Sequence, residues 1–417
     1  MESWKNKGRE DLNGTVKDSD DYAKGGVGPL RQNYRKEHRG CCLMALLEAI
    51  LLLVIFFGGI FFLHNSDLFH RIYNIGMGHI RELPGFERLA SAEDENMINE
   101  EKELVDFVNA QLQNGQETFL FRTKDLDDNF INNINSYTEA FYGSCSKYTT
   151  TDYGSYREIK MNCTLSNAYY AERYILYQED IPSDRKDAKK LADKCSAILD
   201  KKDMDDLTEY RKEKYFHDYI IKHTVYTTEG DRDLLSSPEG PLLHGQGVCS
   251  GYARAMKLLC DLTGVKCCTV VGIGNGVDHE WNMVQIGKEW YHVDVTWDDP
   301  LPDQKYPMFA YLNLTDQAIS LDHVWEKSYY HSAESTLYDY YTLNNAYCDD
   351  FEAFTAFMEQ ELEKQPKTVR VMVGDYSKKN YSEDKLKFLF DLSGASSYSF
   401  ATCGPKGRTE IYFVFSY

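Results

Sequence analysis

Three residues whose side chains combine in nucleophilic catalysis, Cys249, His279 and Asp294, occur in that order in the second half of the chain. A cysteine thiolate attacks carbonyl carbon, a histidine can take the thiol proton, and a carboxylate can hold the imidazole in one tautomer. The chemistry open to this set is acyl transfer through a thioester. The order therefore predicts Cys249 as nucleophile, His279 as base and Asp294 as the residue that orients the base.

Cys249 opens a segment with the apolar spacing of a helix. Ala253, Met256 and Leu259 keep the 3.6-residue period, and Gly264 is placed to end the helix. A thiol at a helix N-terminus faces unpaired backbone N–H groups and the positive end of the helix dipole. Both features favour the reactive thiolate, so the position of Cys249 supports its predicted role.

Three strand-like segments follow this helix, at 267–273, 279–286 and 290–297. A glycine-rich loop separates the first two segments, and a turn at Gly287-Lys288 separates the second and third. Antiparallel strands joined by a short turn lie side by side. We therefore expect His279 and Asp294 to lie beside each other across this hairpin.

Three sequence blocks in this order resemble the transglutaminase-like superfamily, most closely its bacterial members. They are Gly-Val-Cys-Ser-Gly-Tyr-Ala (247–253), His-Glu-Trp-Asn (279–282) and Val-Asp-Val-Thr-Trp-Asp (293–298). The segments 215–221, 311–316 and 322–325, together with Tyr226, also resemble the family, so the resemblance covers 205–335. Glu280 departs from the pattern, in which alanine usually stands between the histidine and the tryptophan. The resemblance implies a papain-like α+β core, with the cysteine helix packed on an antiparallel sheet.

The resemblance also implies an oxyanion hole made by the Cys249 backbone N–H and one upstream group. Gln246 and Tyr226 are both candidates for that group, and the sequence leaves the choice open. We expect the large side chains near the three blocks to form the walls of the site: Trp281, Trp297 and Tyr252.

Competing motifs in the same region fail on their context. Gly-Val-Cys-Ser-Gly (247–251) has the pattern of a nucleophile elbow, but no strand precedes it and the acid follows the histidine. The glycines at 272, 274 and 276 are followed by a strand, whereas a dinucleotide loop requires a helix. Cys267 and Cys268 with His279 form a poor zinc set, because adjacent strand residues point to opposite faces. We expect no cofactor and no metal.

The segment 41–63 contains one charged residue, Glu48, in 23 residues, which is long enough to cross a bilayer as a helix. Arg31, Arg35, Lys36 and Arg39 precede it closely, which predicts a cytoplasmic N-terminus and an external C-terminal part. Glu48 is compatible with protonation, with reaching the interface or with a helix–helix contact.

The formal net charge of −20 argues against a nucleic-acid partner. Nine cysteines follow the predicted span, from Cys145 to Cys403, and an odd number leaves at least one thiol unpaired. Cys249 is the natural candidate. Whether the other eight form disulfides depends on the redox compartment, which the sequence does not reveal.

Helix and strand patterns also flank the predicted core, and both flanks follow the order helix, strand, helix, strand. This similarity suggests a weak internal repeat with a structural or binding role. The fold class predicted from these patterns is α+β, with smaller α+β modules beside the core and one N-terminal transmembrane helix. The predicted domains are a disordered cytosolic tail (1–40), the transmembrane helix (41–63), a stalk (64–95), an α+β module (96–200), the transglutaminase-like domain (203–335) and a C-terminal α+β module (345–417).

The resemblance implies a cysteine enzyme that acts on amide bonds of peptides or proteins, and the predicted span and its flanking charges make it membrane-anchored and extracytoplasmic. Water as acceptor would make the enzyme a peptidase or deamidase, and an amine would make it an acyltransferase. A non-catalytic surface scaffold that uses the same core to bind peptide or cell-wall material is the alternative. The expected partners are a peptide or protein substrate, the membrane through 41–63, and cell-wall or surface proteins.

Overall fold

A computed structural model describes residues 96–138, 141–299, 307–405 and 407–417. The predicted tail, transmembrane helix and stalk, and with them the predicted orientation, lie outside these residues. Within the part that is described, no helix has both the length and the apolar character that crossing a membrane requires. Residues 98–417 belong to one compact unit.

The first sheet is three-stranded and antiparallel, with strand order β1-β3-β2. Alternation in β1 buries Phe119, Phe121 and Thr123, and the first helix packs its apolar residues Leu104, Val108 and Leu112 into the same core. The elements are α1 Glu101–Gln113, β1 Thr118–Thr123, α2 Asp128–Asn132, β2 Gly143–Asp152 and β3 Arg157–Leu165.

Helices and short strands then lead to the helix that begins at Cys249. Ser166 and Thr208 cap α3 and α5 by accepting backbone N–H bonds, as residues of this type do at helix N-termini. The elements are α3 Asn167–Tyr177, α4 Lys186–Leu199, α5 Glu209–His223, β4 Val225–Tyr226, α6 Arg232–Leu235, a π-helical turn Gly240–His244 and β5 Gln246–Gly247. The two short strands pair in parallel, with Tyr226 opposite Gly247.

A helix packed on a five-stranded antiparallel sheet forms the centre. The helix α7 contacts the second and third strands of the sheet, whose order is β10-β6-β7-β8-β9. The elements are α7 Cys249–Asp261, β6 Cys267–Gly274, β7 Val277–Ile286, β8 Glu289–Val293, β9 Leu312–Leu314, α8 Asp316–Ile319 and β10 His323–Trp325. This arrangement confirms the predicted α+β class and the helix on an antiparallel sheet.

The last predicted strand of the core, 290–297, is too long. The strand β8 ends at Val293, and Asp294 begins a turn. Its carboxylate accepts the backbone N–H groups of Thr296 and Trp297, a local bond that competes with continued pairing. Residues on both sides of this turn are buried. Their apolar character made the segment resemble one continuous strand.

The C-terminal sheet has the strand order β11-β12-β14-β13. Its elements are α9 Tyr340–Leu343, β11 Tyr347–Cys348, α10 Phe351–Leu362, β12 Thr368–Val373, α11 Glu383–Leu386, α12 Phe388–Ser393, β13 Ser397–Cys403 and β14 Thr409–Ser416. From α10 onward, the order of helix, strand, helical segment and hairpin matches that of the first sheet. In both sheets the third strand of the unit lies between the first and the second, so the similarity seen in the sequence extends to topology. Each of these three larger sheets lies in a different one of the three predicted globular segments. The division of the chain into domains stays a prediction.

Candidate active site

Cys249 is the first residue of α7 and is partly exposed. Val248, just before it, has extended backbone angles and donates its N–H to Leu235 O at 3.0 Å. Gly251 packs so tightly that a Cβ would lie 2.2 Å from Leu235 O. Only glycine fits this approach, which fixes the first turn of the helix and with it the nucleophile.

His279 and Asp294 form a direct pair. Nε2 of His279 lies 2.6 Å from Oδ2 of Asp294. The strand register pairs Asn282 with Val293, so Asp294 follows the last paired residue of β8 and reaches back across the hairpin. Both side chains are buried, and Cys249 lies close enough to raise the pKa of the imidazole.

Burial opposes the charged form of His279, but the Asp294 carboxylate and the Cys249 thiol outweigh it and raise the pKa of the imidazole to about 10. Burial likewise opposes the charge on Asp294. Two imidazoles, His279 and His323, overcome that opposition and hold the pKa of the Asp294 carboxyl well below its usual range. These contacts keep Asp294 ionised and favour the protonated imidazole once His279 has accepted a proton.

His323, on β10, is a second imidazole at the same carboxylate. Its Nε2 lies 3.1 Å from Oδ2 of Asp294, and its Nδ1 lies 2.6 Å from Oδ1 of Asp322. The sequence comparison noted the segment 322–325 as a family-like block but assigned it no role. The contact joins residues 29 apart, and only the adjacent aspartate and histidine could have drawn attention to it.

The ligand atoms of His279, Asp294 and His323 lie within 4.8 Å of one another, the one set among the described residues with the types and proximity to hold a metal ion. Both histidine–carboxylate separations, 2.6 and 3.1 Å, are shorter than the roughly 3.3 Å between two ligands of a tetrahedral zinc ion. These two separations are those of hydrogen bonds, so a metal would have to move both histidines away from the carboxylate.

The three predicted wall residues lie around this pair in different ways. The ring centroid of Trp297 is 5.2 Å from that of His279, and the centroid of Trp281 is 5.9 Å from it. Trp281 is buried and donates its indole N–H to His292, whereas Trp297 is half-buried. Tyr252 is fully buried and donates its hydroxyl to Asp299 at 2.8 Å.

The two oxyanion candidates lie on the paired strands that lead to Cys249. Gln246 is exposed on β5, and Tyr226 is about 41% exposed on β4. Burial, and secondly the proximity of Cys249, raise the pKa of the Tyr226 hydroxyl. The hydroxyl of Tyr226 thus lies in the electrostatic range of the nucleophile, and the assignment of the group stays a prediction.

Glu280, the residue that departs from the family pattern, connects the helix of Cys249 to the strand of His279. Its two carboxylate oxygens accept from Nε and Nη2 of Arg254 on α7, each at 3.0 Å. Asn282 adds a second tie by donating to Ala253 O at 2.9 Å. Bidentate pairs of this kind are directional, so the helix of Cys249 and the strand of His279 are held in fixed relation.

Comparison with known proteins agrees with this geometry. Residues 197–295 match the family described as the transglutaminase-like superfamily. The Kyphoscoliosis peptidases of Mus musculus and Homo sapiens are 30% and 32% identical over 109 and 110 residues, which cover 22% of this chain. The aligned part spans 16% of each of these relatives. A crystal structure of a TGase, 20% identical, covers 43% of this chain and 51% of its own, with a TM-score of 0.25.

The matched residues contain the helix that begins at Cys249, the strand of His279 and the turn of Asp294. These segments contain the three sequence blocks on which the resemblance described above is based. Residues 197–295 of this chain are therefore similar to the core of the transglutaminase-like superfamily.

Proposed function

We propose that this chain is a cysteine enzyme that breaks amide bonds in peptides or proteins through a thioester on Cys249. The observation that carries the proposal is the Cys249–His279–Asp294 relay, in which His279 Nε2 lies 2.6 Å from Asp294 and Cys249 is close enough to raise the pKa of the same imidazole. A partly exposed thiol at a helix N-terminus, a buried base and a buried orienting carboxylate are the three groups that this chemistry requires.

The proposed reaction accounts for each proton. With Nε2–H donated to Asp294, the other ring nitrogen, Nδ1, is left to take the thiol proton. Sγ then bonds to the carbonyl carbon, and the imidazolium gives its proton to the departing amine as the C–N bond breaks. The thioester is released when water or a second amine attacks it, after His279 takes the proton of that acceptor.

The acceptor decides between hydrolysis and acyl transfer. Water needs no binding site of its own, whereas an amine acceptor does. We propose hydrolysis as the basal reaction, with transfer as the outcome when an amine competes successfully with water.

We also propose that the segment 41–63 anchors the chain with the catalytic part outside the cell. The proposal rests on the apolar run and its flanking charges. A disulfide between Cys145 and Cys163, on neighbouring strands β2 and β3, supports it, because disulfides persist in oxidising compartments.

The catalytic proposal is tested with the full chain by two measurements, peptide hydrolysis and alkylation of Cys249 followed across pH. Cys249→Ala should abolish hydrolysis, and His279→Ala should abolish it while also slowing alkylation of Cys249 at neutral pH. Cys268→Ala is the matched control, since Cys268 is a partly exposed cysteine on β6 outside the relay. Hydrolysis that survives Cys249→Ala would contradict the proposal and favour the non-catalytic scaffold.

The anchoring proposal is tested by fractionating cells that express the full chain. The chain should remain with membranes after an alkaline carbonate wash, and external protease should digest the part that follows residue 95. Release by the wash, or protection of that part in intact cells, would contradict it.

A further inference from the structure

The carboxylate of Asp294 serves two imidazoles through one oxygen. Oδ2 lies 2.6 Å from Nε2 of His279 and 3.1 Å from Nε2 of His323. Its other oxygen, Oδ1, is occupied by the backbone N–H groups of Thr296 and Trp297 at 3.0 and 3.1 Å. All four contacts are donors to a carboxylate, so Asp294 is an acceptor throughout.

His323 lies between two carboxylates. Beyond the contact with Asp294, its Nδ1 is 2.6 Å from Oδ1 of Asp322, whose Oδ2 accepts the Tyr311 hydroxyl at 2.7 Å. A neutral imidazole carries one N–H and can donate from one nitrogen only. With a carboxylate at each nitrogen, the geometry calls for a proton on both, which makes His323 an imidazolium.

The surroundings of His323 shield its side chain from bulk solvent. Its side chain has no exposed surface, and the rings of Trp297 and Trp281 lie at centroid distances of 4.3 and 4.8 Å. The titratable groups that face it from the neighbouring elements are His279 on β7, His292 on β8, Asp294 after β8, and Tyr311 and Asp322 from the segment between β8 and β10. A buried charge is stable only when it is paired, and here two carboxylates pair it.

We propose that His323 is a positioning residue of the active site, an imidazolium clamped by Asp322 that holds Asp294 Oδ2 in line with His279. The inference rests on the proposed function of the Cys249 relay and extends that relay to Asp322 and Tyr311. His323 does not touch the substrate. It acts by fixing the rotamer and the ionised state of Asp294, as outer hydrogen-bond partners do for the groups that they support.

The kinetic test uses the full chain with His323→Leu, His323→Gln and Asp322→Asn. His323→Leu should lower kcat by roughly 10- to 100-fold, the rate equivalent of one hydrogen bond between charged groups, with KM unchanged. His323→Gln keeps a donor for Asp294 and should recover part of that loss. Asp322→Asn leaves His323 in place and should lower kcat in the same direction, so the test survives if one variant fails to fold.

The matched control is His217→Gln, which removes another fully buried imidazole, one held between Asp218 and Asp298 rather than bonded to Asp294. It should keep kcat near that of the wild type. A loss of kcat in His323→Leu no larger than in this control would overturn the inference.

A second readout does not need activity. Nitrogen-15 NMR of the histidine rings at neutral pH should show both nitrogens of His323 protonated, and Asp322→Asn should remove that state. A single protonated nitrogen in the wild type would overturn the inference. Hydrolysis that persists in Cys249→Ala would instead defeat the proposed function while leaving the NMR result to stand by itself.

Discussion

At the scale of single residues, the site depends on which groups are kept charged without solvent. Asp294 is fully buried and yet surrounded by donors on both oxygens. His279 is buried beside it and gains its charge from that carboxylate and from Cys249. Cys249 alone of the three is partly exposed, so the proposed nucleophile is reached from solvent while the two groups that support it are buried.

Asp294→Asn tests whether the buried carboxylate supports the proposed base. An amide cannot match the carboxylate as acceptor for His279, so the imidazole loses its fixed tautomer, and kcat should fall by about 10⁴-fold as in other triads. Steady-state hydrolysis checks it. Asp316→Asn is the control, since Asp316 pairs with a buried histidine, His292, in the same sheet but outside the relay. Equal losses in both variants would show that Asp294 acts only through stability.

Glu213, on α5, gives a residue-scale prediction about pH. Its side chain is fully buried, one carboxylate oxygen accepts from Asn313 at 2.8 Å and the other has no partner. Burial raises the pKa of Glu213 to about 8, against an ordinary value of 4.5. The folded state thus holds a proton that the unfolded state releases, so this group's contribution to stability is full below pH 4.5 and is lost as pH rises to about 8.

Glu213→Gln should therefore flatten the dependence of the free energy of unfolding on pH between about 4.5 and 8. Denaturant unfolding at several pH values measures this. Glu209→Gln is the control, because Glu209 is an exposed acid one turn earlier on α5. An unchanged slope in Glu213→Gln would mean that the buried carboxyl ionises at its ordinary pH.

At the scale of elements, the site depends on how α7 is held against β7. Arg254 and Glu280 form a bidentate pair whose side chains are about 19% and 10% exposed. Removing one partner of a largely buried pair leaves the other charge unpaired, which costs more than the pair itself contributes.

Glu280→Ala should destabilise the fold by about 3 kcal/mol, near the low end of the cost of breaking a buried pair because some exposure remains. Denaturant unfolding measures it, with a cycle that includes Arg254→Ala and the double variant. The exposed pair of Lys102 and Asp106 on α1 is the control and should give less than about 1 kcal/mol. A coupling as small as that of the control would show that the pair does not hold the two elements.

The elements that position the nucleophile and the base could be predicted because their patterns are strong. The helix at Cys249, the hairpin turn at Gly287 and the strand at 279–286 all follow from periodicity and turn residues. The strands β2 and β13 were missed because they are rich in serine and threonine and have weak apolar alternation. His323 and the partner of Glu280 were missed because their contacts join distant parts of the chain.

At the scale of the whole molecule, the C-terminal sheet is joined to the catalytic core by polar contacts. Glu410 on β14 accepts the backbone N–H of Phe309 at 2.7 Å and pairs with Arg370 at 2.6 Å. Cys403 lies 3.2 Å from the carbonyl oxygen of Trp297, beside the relay. The flanking module thus contacts the loop that carries Asp294 and Trp297, which gives the repeated topology a structural role.

The net charge of −20 belongs to the whole chain and leads to a prediction about substrates. An acidic surface attracts basic peptides at a distance, and salt screens this attraction beyond about 10 Å at 0.1 M. Basic peptides should have a higher kcat/KM than acidic peptides of equal length at low salt, and the difference should shrink at high salt. Equal, salt-independent values for both peptides would remove the surface charge as a factor.

The position of His323 on the outermost strand of the sheet affects how activity is lost on warming. It lies on β10, a strand of three residues that pairs with β6 alone. Short strands at a sheet edge open at a lower free energy than central ones. On gentle warming, His323 and Asp322 would leave Asp294 while Cys249 and His279 remain in register, so turnover would decline while most of the fold is still intact.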